Sequence, residues 1–411
     1  MSSSQTNPEA PAVKSGRNVM AGTIVVGHGV KHLLASGFQK IIMPEMKIGL
    51  GLSNTQFGAL GSAQALSSWA ATMVGGYLGD RFANKAAFFI ALSLGITGVS
   101  YFIAGFAPNY WLMFFVMLLA GAGPSLFHPP ALGELSRGFP EKRGFVVSLH
   151  GTGGIAGEIL GPVTTAAVLS FLMWRDVLTV SLFPAMVTAL LVWGILKLLP
   201  RTSHESVSRR GYFKALLGLM KSPVLMVLVL STVFRAMGEA AVDVFLPAYL
   251  RETLAYSSGK VALYLSLAQV MGLVSQPLMG HMADRYGAKK VLMPAMVSSA
   301  LLMLGLALAE PGWQLLVIIV VAGSFKFTLQ HIFVAAAIEA AKGQSQSTVV
   351  SLIYGASILG ILSPFIAGVV SDSFGIESAF IYAAGMAAVA TVLLARFRMP
   401  SGPAAAASGK A

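Results

Sequence analysis

Twelve long apolar stretches divide this 411-residue chain, and they restrict its fold more than any other feature. Each stretch has about 20 residues or more, the length that a helix needs to cross the hydrocarbon core of a bilayer. Only 11% of the residues are charged, whereas about a quarter are charged in a soluble domain. Because a backbone in lipid must satisfy its own hydrogen bonds, we predict an all-α membrane protein with twelve transmembrane helices. The predicted spans are 20–44, 55–79, 86–106, 110–134, 144–170, 177–198, 223–249, 260–283, 289–309, 313–337, 346–371 and 376–397.

The net charge of +12 is distributed unevenly along the chain. Twenty of the 28 Lys and Arg residues lie in the termini or in connections on the same side as the termini, and four lie on the opposite side. This asymmetry orients membrane helices with their basic connections inside. We therefore expect an inner (plasma) membrane protein with both termini and the 200–222 connection in the cytoplasm. Because the basic residues lie mostly in short segments between apolar spans, their distribution indicates a lipid bilayer as partner, and no nucleic acid.

One short motif occurs twice, with an offset of 204 residues. Residues 76–85 read GYLGDRFANK after the second span, and residues 280–290 read GHMADRYGAKK after the eighth. A repeat at half the chain length indicates two duplicated halves rather than a solenoid. We predict pseudo-symmetric six-helix bundles at 19–199 and 223–398, a connection at 200–222, a disordered N-terminus at 1–18 and a tail at 399–411.

The charged residues of this motif are candidates for a cytoplasmic gate. Asp80 and Asp284 are placed to accept hydrogen bonds from a neighbouring helix end. Arg81 and Arg285 anchor the two loops on the basic side of the membrane. We predict that these four residues hold the cytoplasmic helix ends together.

Two six-helix halves, a basic central connection and the Gly-x-x-x-Asp-Arg loops resemble the major facilitator superfamily. Residues 121–129 (GAGPSLFHP), residues 151–162 (GTGGIAGEILGP) and the triplet at 32–34 (HLL) resemble its fosmidomycin-resistance branch. The resemblance implies a rocker-switch carrier, in which one central site opens alternately to each side. Gly153, Gly157 and Gly161 recur at four-residue spacing, which admits a neighbouring helix closely and resembles the fifth helix of exporters.

Four basic residues fall inside predicted spans, where a cation is costly unless it meets water, a counter-ion or an anionic ligand. Lys31 and Arg235 are 204 residues apart, so pseudo-symmetry gives them equivalent positions in the first and seventh spans. We predict that they face each other across the cavity and bind an anionic substrate. His32, next to Lys31, and Lys326, in the tenth span, complete the predicted substrate-binding set.

A structural explanation of the same cations stays open. Arg235 lies one helical turn from Glu239, which neutralises it in this alternative. Lys31 would then pair across the bundle with Glu158. Lys40 lies nearer the outer surface, where we expect its side chain to snorkel, and it is not predicted as a site residue.

Three intramembrane acids are candidates for proton coupling: Glu158, Glu239 and Asp243. A carrier driven by protons needs a group whose proton affinity changes between the two facings, and a buried carboxylate does this through desolvation. His32, His128 and His331 are further candidates, because histidine is the side chain that ordinarily changes its charge near neutral pH. For His128 we favour a gate or structural role.

No enzyme signature is found in the sequence. The chain lacks a P-loop, a His-Glu-x-x-His motif and cysteine, so we predict no catalytic residues, no cofactor and no metal. The predicted function is proton-coupled export of a small organic anion or amphiphilic drug by a monomer. The alternatives are uptake of a carboxylate or organophosphate by symport or exchange, and a sensor or assembly protein on a carrier scaffold.

Overall fold

In a computed structural model of the protein, the described residues are 11–199, 218–341, 349, 352–353 and 355–396. They are almost entirely helical, and this part of the chain contains no β-strand. The predicted 399–411 tail, residues 1–10 and residues 200–217 of the predicted connection lie outside the described residues. The all-α class predicted from the sequence is confirmed.

The first half of the chain forms the first six predicted spans. A π-helical turn at Phe38–Ile42 joins α1 to α2, and 3-10 turns at Ala83–Lys85 and Pro140–Lys142 precede α4 and α7. The helices are α1 (Pro11–Gly37), α2 (Met43–Gly49), α3 (Asn54–Arg81), α4 (Ala86–Gly105), α5 (Tyr110–Leu126), α6 (His128–Gly138), α7 (Arg143–Leu169), α8 (Trp174–Val180) and α9 (Leu182–Leu198).

The second half repeats this pattern. A π-helical turn at Tyr249–Thr253 extends its first helix, as the turn after α1 does in the first half, and a 3-10 segment at Ala356–Gly360 precedes α14. The helices are α10 (Pro223–Ala248), α11 (Ser258–Tyr286), α12 (Ala288–Leu308), α13 (Trp313–Ala340), α14 (Ser363–Phe374) and α15 (Ser378–Ala395). Among the described residues, nine helices are long and apolar enough to cross a membrane, and Ile358–Phe374 is a shorter apolar helix.

Helix starts follow the polar residues that precede the apolar stretches. Ser53 and Gln56 form a reciprocal capping box at the start of α3, in which each side chain accepts a hydrogen bond of 3.1 Å from the other residue's backbone N–H. Asn109 accepts a hydrogen bond of 3.1 Å from the backbone N–H of Leu112 and starts α5 in the same way. The capping box at Ser53 marks the start of the second predicted span. The Asn109 cap separates the third predicted span from the fourth.

The two copies of the repeated motif turn differently. Between α11 and α12 the turn uses Gly287 at φ +93°, a conformation that side-chain-bearing residues rarely adopt. Ala83 stands 204 residues earlier, and there the chain forms the 3-10 turn instead. The turn of the second copy therefore depends on glycine, whereas the first copy forms a turn that alanine can adopt.

Helix packing confirms the duplication. In the first half α3 packs on α5 and α4 packs on α9. The equivalent helices of the second half make the same pairs, α11 on α13 and α12 on α15. The halves meet where α3 packs on α14 and where α7 packs on α11.

The glycine spacing in α7 does admit a close neighbour, as predicted. A Cβ atom added to Gly157 would lie 2.1 Å from the carbonyl oxygen of Gly29 on α1. At Gly153 it would lie 2.7 Å from the carbonyl oxygen of Val25, and at Gly161 2.4 Å from that of Leu33. The three glycines therefore bring α1 and α7 into backbone contact.

Candidate substrate cavity and charged network

Ion pairs close one end of the bundle between the two halves. We call the end where α1 begins the proximal end and the opposite end, where α2 finishes, the distal end. Arg251 makes a two-point contact with Glu45 through Nε and Nη2, and Ser258 donates to the same carboxylate at 3.0 Å. Lys47, which is 4% exposed, pairs with Glu252. Both pairs join the first half to the second.

These pairs are reciprocal. Lys47 and Arg251 are separated by the same 204 residues as the two motif copies, and each contacts an acid of the other half. Both cations are among the four Lys and Arg residues that the charge asymmetry placed on the side opposite the termini, and their pairing was not predicted. The arrangement is a symmetric lock at the distal end.

A carboxylate of the second half also caps a helix of the first. Asp372, on α14, accepts hydrogen bonds of 2.8 Å from the backbone N–H groups of Asn54 and Thr55, the first residues of α3. An acid at a helix N-terminus satisfies orphan donors and complements the helix dipole. Further along the same interface, Ser62 accepts a hydrogen bond of 3.2 Å from the backbone N–H of Phe365.

A cavity, which we call the main cavity, lies among α10, α11, α12 and α13. Its empty space is about 740 Å³, including the part that is open to solvent. Most of its wall is apolar, with Leu246, Met303 and Ile319 among the lining residues. One side chain, that of Lys40, reaches it from the first half. The polar residues of the wall are Lys40, Glu239, Asp243, Gln269, Ser299 and Lys326. A mostly apolar cavity with a few converging polar groups is typical of a small-molecule site.

The two lysines of this cavity differ in their partners. Lys326 forms an ion pair with Asp243 on the neighbouring helix α10. The ammonium of Lys40 is buried and has no hydrogen-bond partner among the described residues. The expected snorkelling of Lys40 is therefore wrong. Lys40 belongs to the π-helical turn Phe38–Ile42, whose extra residue per turn rotates side chains relative to a regular α-helix and aims this one inward.

Arg235 lies outside the main cavity. It is 2% exposed, and it contacts Glu239 through Nη1 and Gln330 through Nη2. These groups line a second cavity. The local pairing with Glu239 that was the alternative reading of Arg235 is thus present in the structure.

Lys31 is also buried away from the main cavity. It is 2% exposed, and its ammonium donates a 2.8 Å hydrogen bond to Nε2 of His128 on α6. The alternative pair of Lys31 with Glu158 does not form a direct contact. The predicted meeting of Lys31 and Arg235 across a shared cavity is not what the described residues show, because each contacts a partner within its own half.

Glu158 connects the two halves near the middle of the bundle. It accepts a hydrogen bond of 3.1 Å from Nδ1 of His32 in its own half and one of 3.0 Å from the side-chain amide of Gln269 on α11. One residue on, the carbonyl oxygen of Ile159 accepts a hydrogen bond of 2.8 Å from Ser266. Glu158 also lies in the electrostatic field of Lys40 and Lys326. An acid with partners in both halves changes its surroundings when the halves separate.

Two further histidines, His28 and His150, lie in this region, and neither was predicted as a site residue from the sequence. His28 lies one turn before His32 on α1, and its ring stacks on that of His150 at 3.7 Å between centroids. The rings of His28 and His128 are 4.9 Å apart. The spacing of His28 and His32 was visible in the sequence, but the arrival of His150 depends on the close packing of α7 on α1.

The predicted gate residues remain predictions. The side chain of Asp80 lies outside the described residues. Asp284 and Arg285 are exposed, and the Arg285 guanidinium lies 5.3 Å from the ring centroid of Tyr286. Arg81 lies 5.6 Å from the ring of Phe82. None of these contacts joins the two halves.

Two helical bundles related by an internal repeat, a cavity between helices and a reciprocal lock at one end define a membrane carrier. The major facilitator superfamily model matches residues 32–234 and 228–411, one match for each half. The chain belongs to the major facilitator superfamily. It is a multi-pass membrane transporter and not an enzyme.

Curated relatives and solved structures agree with this assignment. The chain is 26% identical over 345 residues to "Multidrug resistance protein MdtG" of Citrobacter koseri, covering 81% of this chain and 82% of the relative. It is 24% identical to the protein of the same name in Salmonella typhimurium, covering 81% and 83%. It shares 14% identity with the nucleoside transporter NupG (TM-score 0.74, 92% and 100% covered) and 18% with a D-xylose-proton symporter (TM-score 0.72, 95% and 99% covered).

Proposed function

We propose that this transporter exports a small organic anion or amphiphilic drug across the inner membrane, coupled to protons. The observation that carries the proposal is the buried ammonium of Lys40, which has no hydrogen-bond partner in the described residues and faces a mostly apolar cavity. A cation without a hydrogen-bond partner in such surroundings is costly, and an anionic group on a ligand with an apolar body offsets that cost.

The orientation follows from the charge distribution. With both termini in the cytoplasm, as the basic connections favour, the distal end faces outside. The pairs Glu45–Arg251 and Lys47–Glu252 then close the outer gate. This facing is the one in which an exporter loads its substrate from the cytoplasm.

The names of the relatives support drug export without identifying a compound. The curated relatives are called multidrug resistance proteins, and the solved structures named above concern nucleosides and a pentose. The glycine-rich α7 and the Phe-His-Pro segment at 127–129 also favour kinship with drug exporters of the fosmidomycin-resistance branch. The wall of the cavity, mostly apolar with two lysines and two acids among its polar residues, suits an amphiphilic molecule better than a sugar.

Proton coupling is assigned to Glu158, Glu239 and Asp243. Glu158 has partners in both halves, so movement between facings separates it from Gln269. Asp243 and Glu239 line the cavity itself, where a substrate changes their hydration. We expect at least one of the three to be required for transport against a gradient and dispensable for exchange.

The pair Lys326–Asp243 also supports a second candidate, proton-linked uptake of a carboxylate. An anion that binds Lys326 competes with the Asp243 carboxylate, so protonation of Asp243 favours the anion and couples the two in the same direction. An anion held by Lys40 instead displaces no carboxylate, because the Lys40 ammonium has no hydrogen-bond partner among the described residues. Anion binding that tightens at low pH thus indicates uptake through Lys326, and anion binding that does not tighten indicates the Lys40 site of the proposed exporter.

The experiment is ligand-dependent thermal stabilisation of the purified protein with a library of organic anions and amphiphilic drugs. Ligands that bind the folded state raise its unfolding temperature. Lys40→Met should weaken binding of an anionic hit by about 1.5–3 kcal/mol, the size of a hydrogen bond to a charged group. Lys260→Met, which removes an exposed lysine at the distal end, is the matched control. Equal binding by the protein and by Lys40→Met excludes Lys40 as the substrate contact.

A further inference from the structure

We propose that the histidine cluster of the first half, formed by His28, His32 and His128 with the ring of His150 stacked on His28, is a binding site for a divalent transition-metal ion. One ring nitrogen from each of His28, His32 and His128 lies within 4.8 Å of the others. The first two come from consecutive turns of α1 and the third from the start of α6, so a metal ion would tie these helices together. Imidazole ligands select zinc, cobalt, nickel or copper over magnesium or calcium.

The hydrogen bonds around the cluster leave metal-binding nitrogens free. Nδ1 of His28 donates to the carbonyl oxygen of His150 at 2.7 Å, because a carbonyl can only accept. In the neutral ring, Nε2 of His28 is then a bare lone pair, and it is buried without a partner among the described residues. His28 itself is 3% exposed. A buried lone pair with nothing to accept is an unsatisfied group that a metal ion would complete.

His32 has the arrangement of a metal ligand with its supporting acid. Its Nδ1 lies 3.1 Å from the carboxylate of Glu158, which fixes the proton on Nδ1 and leaves Nε2 as the ligating atom. The His32 side chain is 21% exposed and that of Glu158 is 26% exposed, which gives an ion a route to the otherwise buried site. Carboxylates that orient histidines in this way are a regular part of metal centres.

Lys31 already places a positive charge among these nitrogens. Its ammonium donates to Nε2 of His128 at 2.8 Å, so this lone pair is occupied by a tethered cation. A divalent ion and the Lys31 ammonium cannot share the cluster at low cost, because both are positive and both need the same lone pair. The cluster is therefore a site in which Lys31 and a metal ion exclude each other.

The geometry needs only side-chain adjustment to bind the ion. Zinc–nitrogen bonds are about 2.0–2.1 Å, so three coordinated nitrogens lie roughly 3.4 Å apart. Ring nitrogens that lie up to 4.8 Å apart must therefore approach each other by up to about 1.4 Å. With three histidine ligands, the fourth position is left to water or an anion.

The test is cobalt binding to the full-length protein, purified with an affinity tag that contains no histidine. The absorption spectrum of Co²⁺ reports imidazole coordination directly, and the absence of cysteine from the chain removes thiolate signals. We expect one Co²⁺ per chain, displaced by Zn²⁺. Lys31→Met should bind Co²⁺ tighter by about ten- to a thousandfold, the effect of a nearby charge on proton binding.

Variants separate the cluster from the other histidines. His28→Gln and His128→Gln should each abolish the Co²⁺ spectrum, and Glu158→Gln should weaken binding by about 10–100-fold. Joint replacement of the other three, His204, His281 and His331, by Gln is the matched control and should leave binding unchanged. Circular dichroism of each variant checks that it is folded. The proposal is overturned if neither the protein nor Lys31→Met binds one Co²⁺ per chain, or if folded His28→Gln and His128→Gln both bind as before.

Discussion

Lys31 in the first half and Arg235 in the second stand at equivalent positions, yet their partners differ in charge. Lys31 donates to the imidazole of His128, whereas Arg235 forms an ion pair with Glu239. Both cations are 2% exposed. Duplication has therefore kept the position of the buried cation and changed how it is stabilised. A neutral partner tolerates the loss of its cation, while a buried carboxylate does not.

The largest expected effect tests this difference directly. Arg235→Gln should lower the stability of the folded protein by about 3–5 kcal/mol, because it leaves Glu239 charged and unmatched. Lys31→Gln should lower it by about 1 kcal/mol, the net value of one hydrogen bond. Thermal unfolding of both purified variants in the same detergent measures the comparison. The double variant Arg235→Gln with Glu239→Gln should recover most of the loss, and equal melting of the two single variants would refute the asymmetry.

The next largest effect concerns the close packing of α1 on α7, and it compares two glycines of α7. Gly157→Ala should lower stability by about 1–3 kcal/mol, because the added Cβ would lie 2.1 Å from the carbonyl oxygen of Gly29. Gly151→Ala, on the same helix with nothing within 4 Å of an added Cβ, is the control and should be neutral or stabilising. Thermal unfolding again provides the measurement. No difference between the two variants would mean that α1 and α7 separate without cost.

A smaller effect is expected at the distal lock, where each half contributes one cation to the ion pairs. Lys47→Gln and Arg251→Gln should each favour the state open at the distal end by about 1 kcal/mol, because the side chains of Glu252 and Arg251 are 41% and 31% exposed and are screened by solvent. Arg251→Gln should have the larger effect, since its fork makes two contacts.

Alkylation of a single cysteine reads out that opening. Ser62→Cys, buried at the interface between α3 and α14, should react faster in both lock variants. Ser93→Cys, fully buried inside the first half, is the control position and should not change. Unchanged labelling of Ser62→Cys in both variants would show that the pairs do not hold the distal end closed.

The smallest effect concerns the two copies of the repeated motif. Asp80→Asn and Asp284→Asn should each make a cysteine at Gln276 react about two- to fivefold faster, corresponding to 0.3–1 kcal/mol for an acid at a helix end. A difference between the variants would show that the copies have diverged in function as they have in their turns. Unchanged labelling in both would remove the gate role from these acids.

Local patterns predicted the parts of this fold that neighbouring residues determine. The spans, the repeat and the close approach at Gly153, Gly157 and Gly161 were readable because length and spacing alone decide them. The lock formed by Arg251 and Lys47 was not, since it depends on how helices of different halves align. Which cation faces the cavity was also unpredictable: a single π-helical turn brings Lys40 in, and neither Lys31 nor Arg235 lines that wall.

The cap that Asp372 forms on α3 links opening of the distal end to the entry of water between the two halves. Asn54 and Thr55 at the start of α3 donate their backbone N–H groups to this acid of the other half, while Ser53 satisfies the next one. When the halves part at this end, two donors and a carboxylate lose their partners at once. In water they are satisfied again at little cost, but in a dry gap they are not. We therefore expect the distal end to open as water enters the interface between α3 and α14 and replaces the hydrogen bonds that the protein releases.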